Sequence, residues 1–363
     1  MTLERFILGF GIGMFAVGCG APTPPVEATN RLFEERVIQG EAQGTTWVVR
    51  YLNDTLDHTP KIDSVLRRID DALSTWQAGS LINRINAFDR TDTVFAFYDS
   101  TQYYSVVFER SAEIKGITNG AFDPSVYPLV ELWGFGFSNR HTVTPEQVDS
   151  VLQFVGFAPS LIDLIEVNRD TYIYKESQIR KGEPRAKLDF NAIAQGFSVD
   201  VMSDVLSDAG LSNYMIELGG EVYCRGVNAD GKPWRIAIDK PVTEGERQLQ
   251  AVVNLSNNAL VTSGSYRKFY ELDGRRYSHI IDPRTGYPVE HTLLSVTVMA
   301  SDATAADAYA TAFMVIGMDE TKRFLEENPS LGLDVFLIWD DNGSYQTWAS
   351  TGLVPLIELI EAS

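Results

Sequence analysis

The sequence predicts an α+β fold, and three observations lead there. From residue 214 onward, five strand-like segments follow one another with only turns between them (214–218, 221–225, 234–240, 249–255 and 260–262). Helical periodicity is confined to separate blocks, and no internal repeat or regular strand–helix–strand alternation links the two kinds of segment. At 363 residues, with 44% hydrophobic side chains, the chain has ample apolar mass for a large core. One composite domain of mixed sheets and packed helices, from residue 37 to residue 363, is the most economical division.

The elements follow in order. Residues 37–52 read as a strand pair turning around Gly40 and Gly44. Pro60 opens a helix with Ile62, Val65, Leu66, Ile69 and Leu73 at helical spacing, since proline costs nothing in a first turn. Residues 73–80 break that helix, and a short one begins over 81–85. Residues 101–115 place Tyr104, Val107 and Phe108 on one helical face, and 121–137 read as an apolar Gly/Pro/aromatic loop. A helix over 145–155 sits behind a Thr144 cap. Another starts at Asp189 and runs to about Ala209, ending on Gly210. After the five strands come a hairpin signalled by Asp273-Gly274 and a strand over 294–300. Helices over 303–316 and 319–327 and a strand over 334–339 close the chain.

The N-terminus reads as an export signal over residues 1–18. Arg5 supplies the positive end, 6–17 is an apolar run too short to span a membrane comfortably, and the run ends in Ala16-Val17-Gly18-Cys19. Small residues before a cysteine are the pattern of a lipoprotein cleavage site, with Cys19 as the acylated residue, although Ala16 stands where Leu is usual. An ordinary signal peptide or an uncleaved anchor would carry a similar run. Residues 19–36, with Pro22, Pro24 and Pro25, suit a tether. With Cys19 lipidated, Cys224 has no partner and reads as a small core residue within a strand.

Thirty basic against 49 acidic side chains give a formal charge of −19, which disfavours nucleic acid and anionic headgroups. The sequence carries no HExxH, CxxC pair, Walker lysine loop or GxSxG elbow.

Asp307 and Thr311, four apart in one helix, share a face and offer two hard oxygens suited to Mg²⁺. Asp302 and Asp307 near a helix start also suit the helix dipole without any metal. Asp189 reads as an N-cap or as one edge of a polar-ligand site at a helix start. Gly219-Gly220 permits close backbone approach, or a plain tight turn. The stretch 262–289 is the richest, ending in Ser278-His279-Ile280-Ile281-Asp282-Pro283-Arg284-Thr285-Gly286: polar chemistry held on rigid punctuation.

Six motifs in order resemble a known family: Ala121-Phe122-Asp123-Pro124, residues 129–136, 188–200, Glu217-Leu218-Gly219-Gly220-Glu221, 262–289 and Ala306-Asp307-Ala308-Tyr309-Ala310-Thr311. Together they resemble the FAD:protein FMN transferases, the ApbE-like flavin transferases, bacterial lipoproteins facing the periplasm. The resemblance implies a T-fold-like domain and a Mg²⁺-dependent reaction. FAD is cleaved at its pyrophosphate, FMN is esterified through phosphate to a Thr or Ser of an acceptor flavoprotein, such as a membrane redox subunit, and AMP leaves. It implies Asp307, Thr311 and the Ala192 carbonyl as metal ligands. It places Gln43, Trp76, Ala121, Phe122, Asp123, Asp189, Gln195 and Ile281 around FAD, with His279 needed for transfer beside Asp307. Gln43 stands where Met is common, Gln195 where Lys or Glu is frequent, and Phe190-Asn191 replaces small residues. Two other readings use the same site: an FAD pyrophosphatase yielding FMN and AMP, and a non-catalytic FAD-binding lipoprotein.

Overall fold

The computed structural model describes residues 32–136, 142–167, 176–242, 248–265, 269–272 and 275–360. The expected signal peptide, Cys19, most of the tether and the Asp273-Gly274 turn lie outside these residues.

The first strand pair is β1 (Glu35–Ala42) and β2 (Thr45–Leu52), antiparallel, with Ala42 opposite Thr45. The turn is Gln43-Gly44, both at positive φ (53° and 74°). Gly40, expected in the turn, lies inside β1 instead. A Cβ there would sit 2.7 Å from the Trp47 indole, so glycine makes room for that fully buried ring. Helix α1 (Thr59–Leu73) buries the five apolar residues its spacing singled out. Just before it, buried His58 meets Asp54 through Nε2 at 2.7 Å and takes the edge of the Tyr51 ring. Ser80 caps α2 (Leu81–Ala87), then come β3 (Val94–Tyr98) and α3 (Tyr103–Ile117).

Within the expected loop, residues 121–136 are described and are not irregular throughout. A 3-10 turn (Pro124–Val126) leads into α4 (Tyr127–Leu132). The cause is local: Asp123 accepts the Ser125 N–H, and Pro124 and Pro128 sit in first turns, where their missing N–H is no loss. Thr144 and Gln147 cap each other at α5 (Pro145–Leu152). Strands β4 (Ile162–Val167) and β5 (Glu176–Lys181) were not foreseen; β5 lies between β3 and β4 in a three-stranded sheet.

Asp189 does not start the next helix. Helix α6 spans Ala194–Asp208, with Ile193 as its N-cap residue. The Asp189 N–H goes to the Pro124 carbonyl, and Phe190 and Ile193 are buried, which pins the preceding residues in an irregular path.

The strand run follows as read: β6 (Tyr214–Leu218), β7 (Glu221–Arg225), β8 (Trp234–Asp239), β9 (Leu249–Leu255) and β10 (Asn258–Gly264). The hairpin arms are β11 (Phe269–Leu272) and β12 (Arg275–Ser278), and β13 covers Leu293–Ala300. The two expected helices that follow are one element, α7 (Ala303–Glu327), kinked at Gly317 (φ 79°, ψ −179°). β14 (Asp334–Asp341), β15 (Ser344–Ala349) and β16 (Ile357–Leu359) complete the chain, the last two unforeseen.

The main sheet has eight strands in the order β1-β2-β6-β7-β10-β13-β14-β15, and every described pairing is antiparallel. The fold is thus α+β with several sheets, as expected. Side-chain alternation sends Val261, Val298 and Leu337 to one face, against α1, α3, α6 and α7. Leu260, Met299 and Ile338 go to the other, against the sheet β16-β9-β8, where Cys224 is fully buried. A small third core, Leu129, Trp133, Val148 and Ile281, lies beneath the loop that follows β12.

Candidate functional site

The candidate site centres on the crossing of α6 and α7. Gly196, in the first turn of α6, admits no side chain: a Cβ would lie 2.2 Å from the Ala303 carbonyl oxygen and 2.8 Å from Asp307 Cβ. The helices therefore touch backbone to backbone and exchange hydrogen bonds. Gly196 N–H donates to Asp307 Oδ2 at 3.0 Å. In return, the Ala303 and Thr304 N–H groups donate to Asp200 on α6 at 2.8 and 2.9 Å, and the Thr304 hydroxyl donates to the same carboxylate. Asp200 thus serves as an anionic cap supplied to α7 by its neighbour.

The crossing also satisfies a helix end. Gly196 lies in the first turn of α6, where an N–H has no partner within its own helix, and Asp307 supplies one. Ala192 lies just before the Ile193 N-cap, and its carbonyl accepts no hydrogen bond among the described residues. Asp307 Oδ1 accepts no hydrogen bond among the described residues. Thr311 follows one turn along α7, its Oγ1 3.5 Å from the Ser263 hydroxyl of β10. Burial first, then the nearby Asp200 charge, holds the Asp307 carboxyl well above the usual range, against the Gly196 hydrogen bond. A buried carboxylate with an unengaged oxygen, a carbonyl that accepts no hydrogen bond and a hydroxyl are hard oxygens of the kind that suits Mg²⁺. Among the described residues no cluster of three His, Cys, Asp or Glu side chains offers a competing centre.

The expected flavin residues fall into three groups around this crossing. In the first, Gln43 donates through Nε2 to Ser198 Oγ at 2.7 Å, and its Oε1 is buried without a partner. Gln195 reaches the β6–β7 turn, where its Nε2 lies 3.0 Å from where a Cβ on Gly219 would stand, so Gly219 serves close approach, while Gly220, at φ 115° with open space around it, serves the turn.

The second group is Asp189, Asn191 and the Trp76 loop. Asn191 donates its backbone N–H to Asp189 Oδ1 (2.8 Å), and its amide reaches Asp189 Oδ2 (3.2 Å) and Thr75 Oγ1 (3.4 Å). Beside Thr75, the Trp76 side chain stands 67% exposed, a large apolar face turned to solvent. Desolvation pushes the Asp189 carboxyl up to about 6, against its hydrogen bonds to Asn191. Asn86 fixes this stretch, bonding both the N–H and the C=O of Leu188 at 2.8 Å as a neighbouring strand would. The fully buried Lys181 in turn donates to the Asn86 and Pro184 carbonyls.

In the third group, Ala121 and Phe122 are buried, and Asp123 is fully engaged within the protein. Its Oδ1 accepts from Ser125 N and Oγ, and its Oδ2 from Phe157 N, with Lys115 Nζ at 3.5 Å. Any role for Asp123 toward a ligand is thus to shape the 121–126 turn. Ile281 is likewise buried in the small third core, and its bridge to Pro288 leaves its own N–H and C=O facing away from the partner strand. Asp282 is chelated by Arg284 (two contacts of 2.8 Å), and Trp133 Nε1 donates to the Gly286 carbonyl, so these residues build the turn. His279 is partly exposed, edge-on to the Phe135 ring at 6.4 Å.

The structure sets the start of α6, which carries Gln195 and follows Ala192, against Asp307, with Thr311 one turn along α7, and links Asp189 to the Trp76 loop and to Pro124. The sequence reading assigned no role to Asp200, Gly196 or Asn86, whose partners lie about a hundred residues away in the chain. A cavity of 390 Å³ between α1 and α6, lined by Pro60, Lys61, Ser64, Val65, Arg68 and Val205, contains none of the residues above. It is a wide surface groove without convergent acid–base groups, and we assign the site to the helix crossing instead.

Known proteins resemble this chain over most of its length. A sequence profile of the ApbE family matches residues 43–337. The FAD:protein FMN transferase of Haemophilus influenzae is 35% identical over 332 residues, 89% of this chain and 92% of its own. That of Escherichia coli K12 is 34% identical over 343 residues, 93% of each chain. The solved structure of the flavin transferase ApbE from Vibrio cholerae superposes with a TM-score of 0.75 at 34% identity, covering 89% of this chain and 99% of that one.

Proposed function

The chain belongs to the ApbE family and is an enzyme of the FAD:protein FMN transferase kind, and from that premise we propose that it moves FMN from FAD onto a Thr or Ser hydroxyl of an acceptor flavoprotein, with Mg²⁺ and release of AMP. The observation that supports the metal assignment is the helix crossing, where Gly196 holds Asp307 Oδ2 close to the start of α6, just beyond an Ala192 carbonyl that accepts no hydrogen bond among the described residues. Asp307, Thr311 and Ala192 would hold the cation, which supplies neutralisation of pyrophosphate charge. The chain's own residues then position the substrates. The Asn86 brace and the Asn191–Thr75 link set the path on which Asp189 and Trp76 stand beside the flavin nucleotide. The loop after β12 presents His279 toward the incoming hydroxyl. Phosphoryl transfer asks mostly for placement and charge stabilisation, which this rigid crossing suits.

We place the protein in the bacterial cell membrane, anchored through lipid on Cys19 and facing the periplasm, with a membrane redox subunit as acceptor; the Ala16-to-Cys19 box and the proline-rich tether support this. The test is to incubate the chain with FAD, Mg²⁺ and an acceptor domain, weigh the acceptor and assay AMP. A mass gain of one FMN phosphoester with AMP release is expected. Free FMN and AMP without acceptor modification would instead establish a pyrophosphatase, and bound FAD without turnover a carrier.

A further inference from the structure

Helix α7 is broken at Gly317, six residues beyond Thr311, and the break is stitched on both sides. Below it, the non-helical Gly317 takes away the amide that Met314 O would receive from residue 318. His291 takes that place, with Nε2 2.7 Å from the Met314 oxygen. A carbonyl only accepts, so this ring nitrogen carries the proton. Above the break, Thr321 Oγ1 donates to the Gly317 carbonyl at 2.7 Å. The fit is close: a Cβ on Gly317 would stand 3.3 Å from His291 Cδ2, so glycine serves both the positive φ and the imidazole lying against it.

The origin of His291 gives this contact its interest. It lies two residues after Val289, whose N–H closes the 280–289 loop on the Ile280 carbonyl. The next residue, Thr292, accepts the Asp340 N–H at the entry to the main sheet. The imidazole therefore ties the end of the loop carrying His279 to the last turn of the helix segment carrying Asp307 and Thr311. Met314, its partner, is fully buried and lies three residues from Thr311, so it cannot shift without moving that turn.

We propose that His291 is a positioning residue: it latches the loop that presents the acceptor-side histidine to the metal-bearing half of α7 and keeps the two in register. This rests on the metal and transfer reading above. The latch needs a donor at Nε2, so glutamine, with an amide N–H of similar reach, should serve where alanine cannot.

The experiment compares wild type, His291→Ala and His291→Gln in the full chain, with two independent readouts. Backbone hydrogen exchange over residues 311–320 should quicken at least tenfold in His291→Ala and stay near wild type in His291→Gln, about the effect of losing one hydrogen bond. The Mg²⁺ concentration for half-maximal AMP release should rise about tenfold in His291→Ala, with kcat lowered and KM for FAD within about twofold, the usual scale for an outer-sphere support. Unchanged exchange in His291→Ala, an unchanged Mg²⁺ requirement, or a glutamine variant as impaired as alanine would each overturn the latch. Wild-type protein without divalent-dependent turnover would sink the transfer reading instead, and the exchange comparison alone would still accept or reject the contact.

Discussion

Replacing Gly196 by alanine tests the helix crossing at its tightest point. The added methyl would lie 2.2 Å from the Ala303 oxygen, 2.7 Å from its carbonyl carbon and 2.8 Å from Asp307 Cβ. Two of these atoms are backbone, so no rotamer relieves the clash and α6 must retreat from α7 by about 1 Å to restore ordinary contact. That retreat stretches the 3.0 Å bond from Gly196 N to Asp307 Oδ2 beyond hydrogen-bonding range. Overpacking of this kind costs about 1–3 kcal/mol. The lost bond to a carboxylate acceptor adds about 1.5–3 kcal/mol, for a total of roughly 2.5–6 kcal/mol. The same displacement moves Asp307 relative to Ala192, and a misplacement of about 1 Å costs on the order of 10²-fold in rate. Urea unfolding and Mg²⁺-dependent AMP release, measured side by side, give both numbers. A Gly196→Ala protein with wild-type midpoint and turnover would refute the close crossing and the Gly196–Asp307 bond together.

Three further outcomes are expected. Asp307→Ala should abolish turnover while leaving far-UV circular dichroism intact; full activity with Mg²⁺ would remove Asp307 from the metal site. Because the folded Asp307 carboxyl lies above its unfolded value, the folded apo protein holds the extra proton, and its stability falls as pH rises through that interval. Mg²⁺ must displace the proton, so the rise in Tm it produces should be small at pH 5 and larger at pH 8; equal rises would contradict the assignment. Lys181 lies about 8 when folded against 10.5 unfolded, because burial and then Lys187 disfavour its charge. The unfolded chain thus binds more protons between those values, and stability should climb with pH across that window by at most about 3 kcal/mol. Lys181→Met should flatten that slope in urea titrations at pH 7.5 and 10, and an unchanged slope would exonerate the lysine.

Much of this was legible in the chain because it rests on local pattern. The α1 stripe of Ile62, Val65, Leu66, Ile69 and Leu73, the strand run from Tyr214 and the shared face of Asp307 and Thr311 each follow from spacing within one element. What escaped depends on partners far along the chain. β5 pairs on both sides with strands that gave no signal, and its Lys181 interrupts any apolar pattern while being fully buried itself. Asp189 carries the chemistry of a cap, yet its N–H is claimed by Pro124, so the helix waits until Ala194. Gly40 looked like a turn residue; only the indole of Trp47 across the strand pair explains it. Asp200 was visible inside a motif, but its task became visible only when α7 was set against it.

The order of strands in the main sheet also governs when this protein can fold. β1 and β2 form a local hairpin, but the next neighbour of β2 is β6, with Trp47 facing Leu218. Helices α1 to α6 and the β3-β5-β4 sheet all lie between those partners in sequence. Loop-closure entropy over so long a span must be overcome before the central pairing returns any stability, which makes such topologies slow. A chain emerging from its N-terminus therefore shows a hairpin and scattered helices, and acquires its core only after β6, and then β10 to β14, have been made. The delay leaves a long interval in which the chain is still threadable.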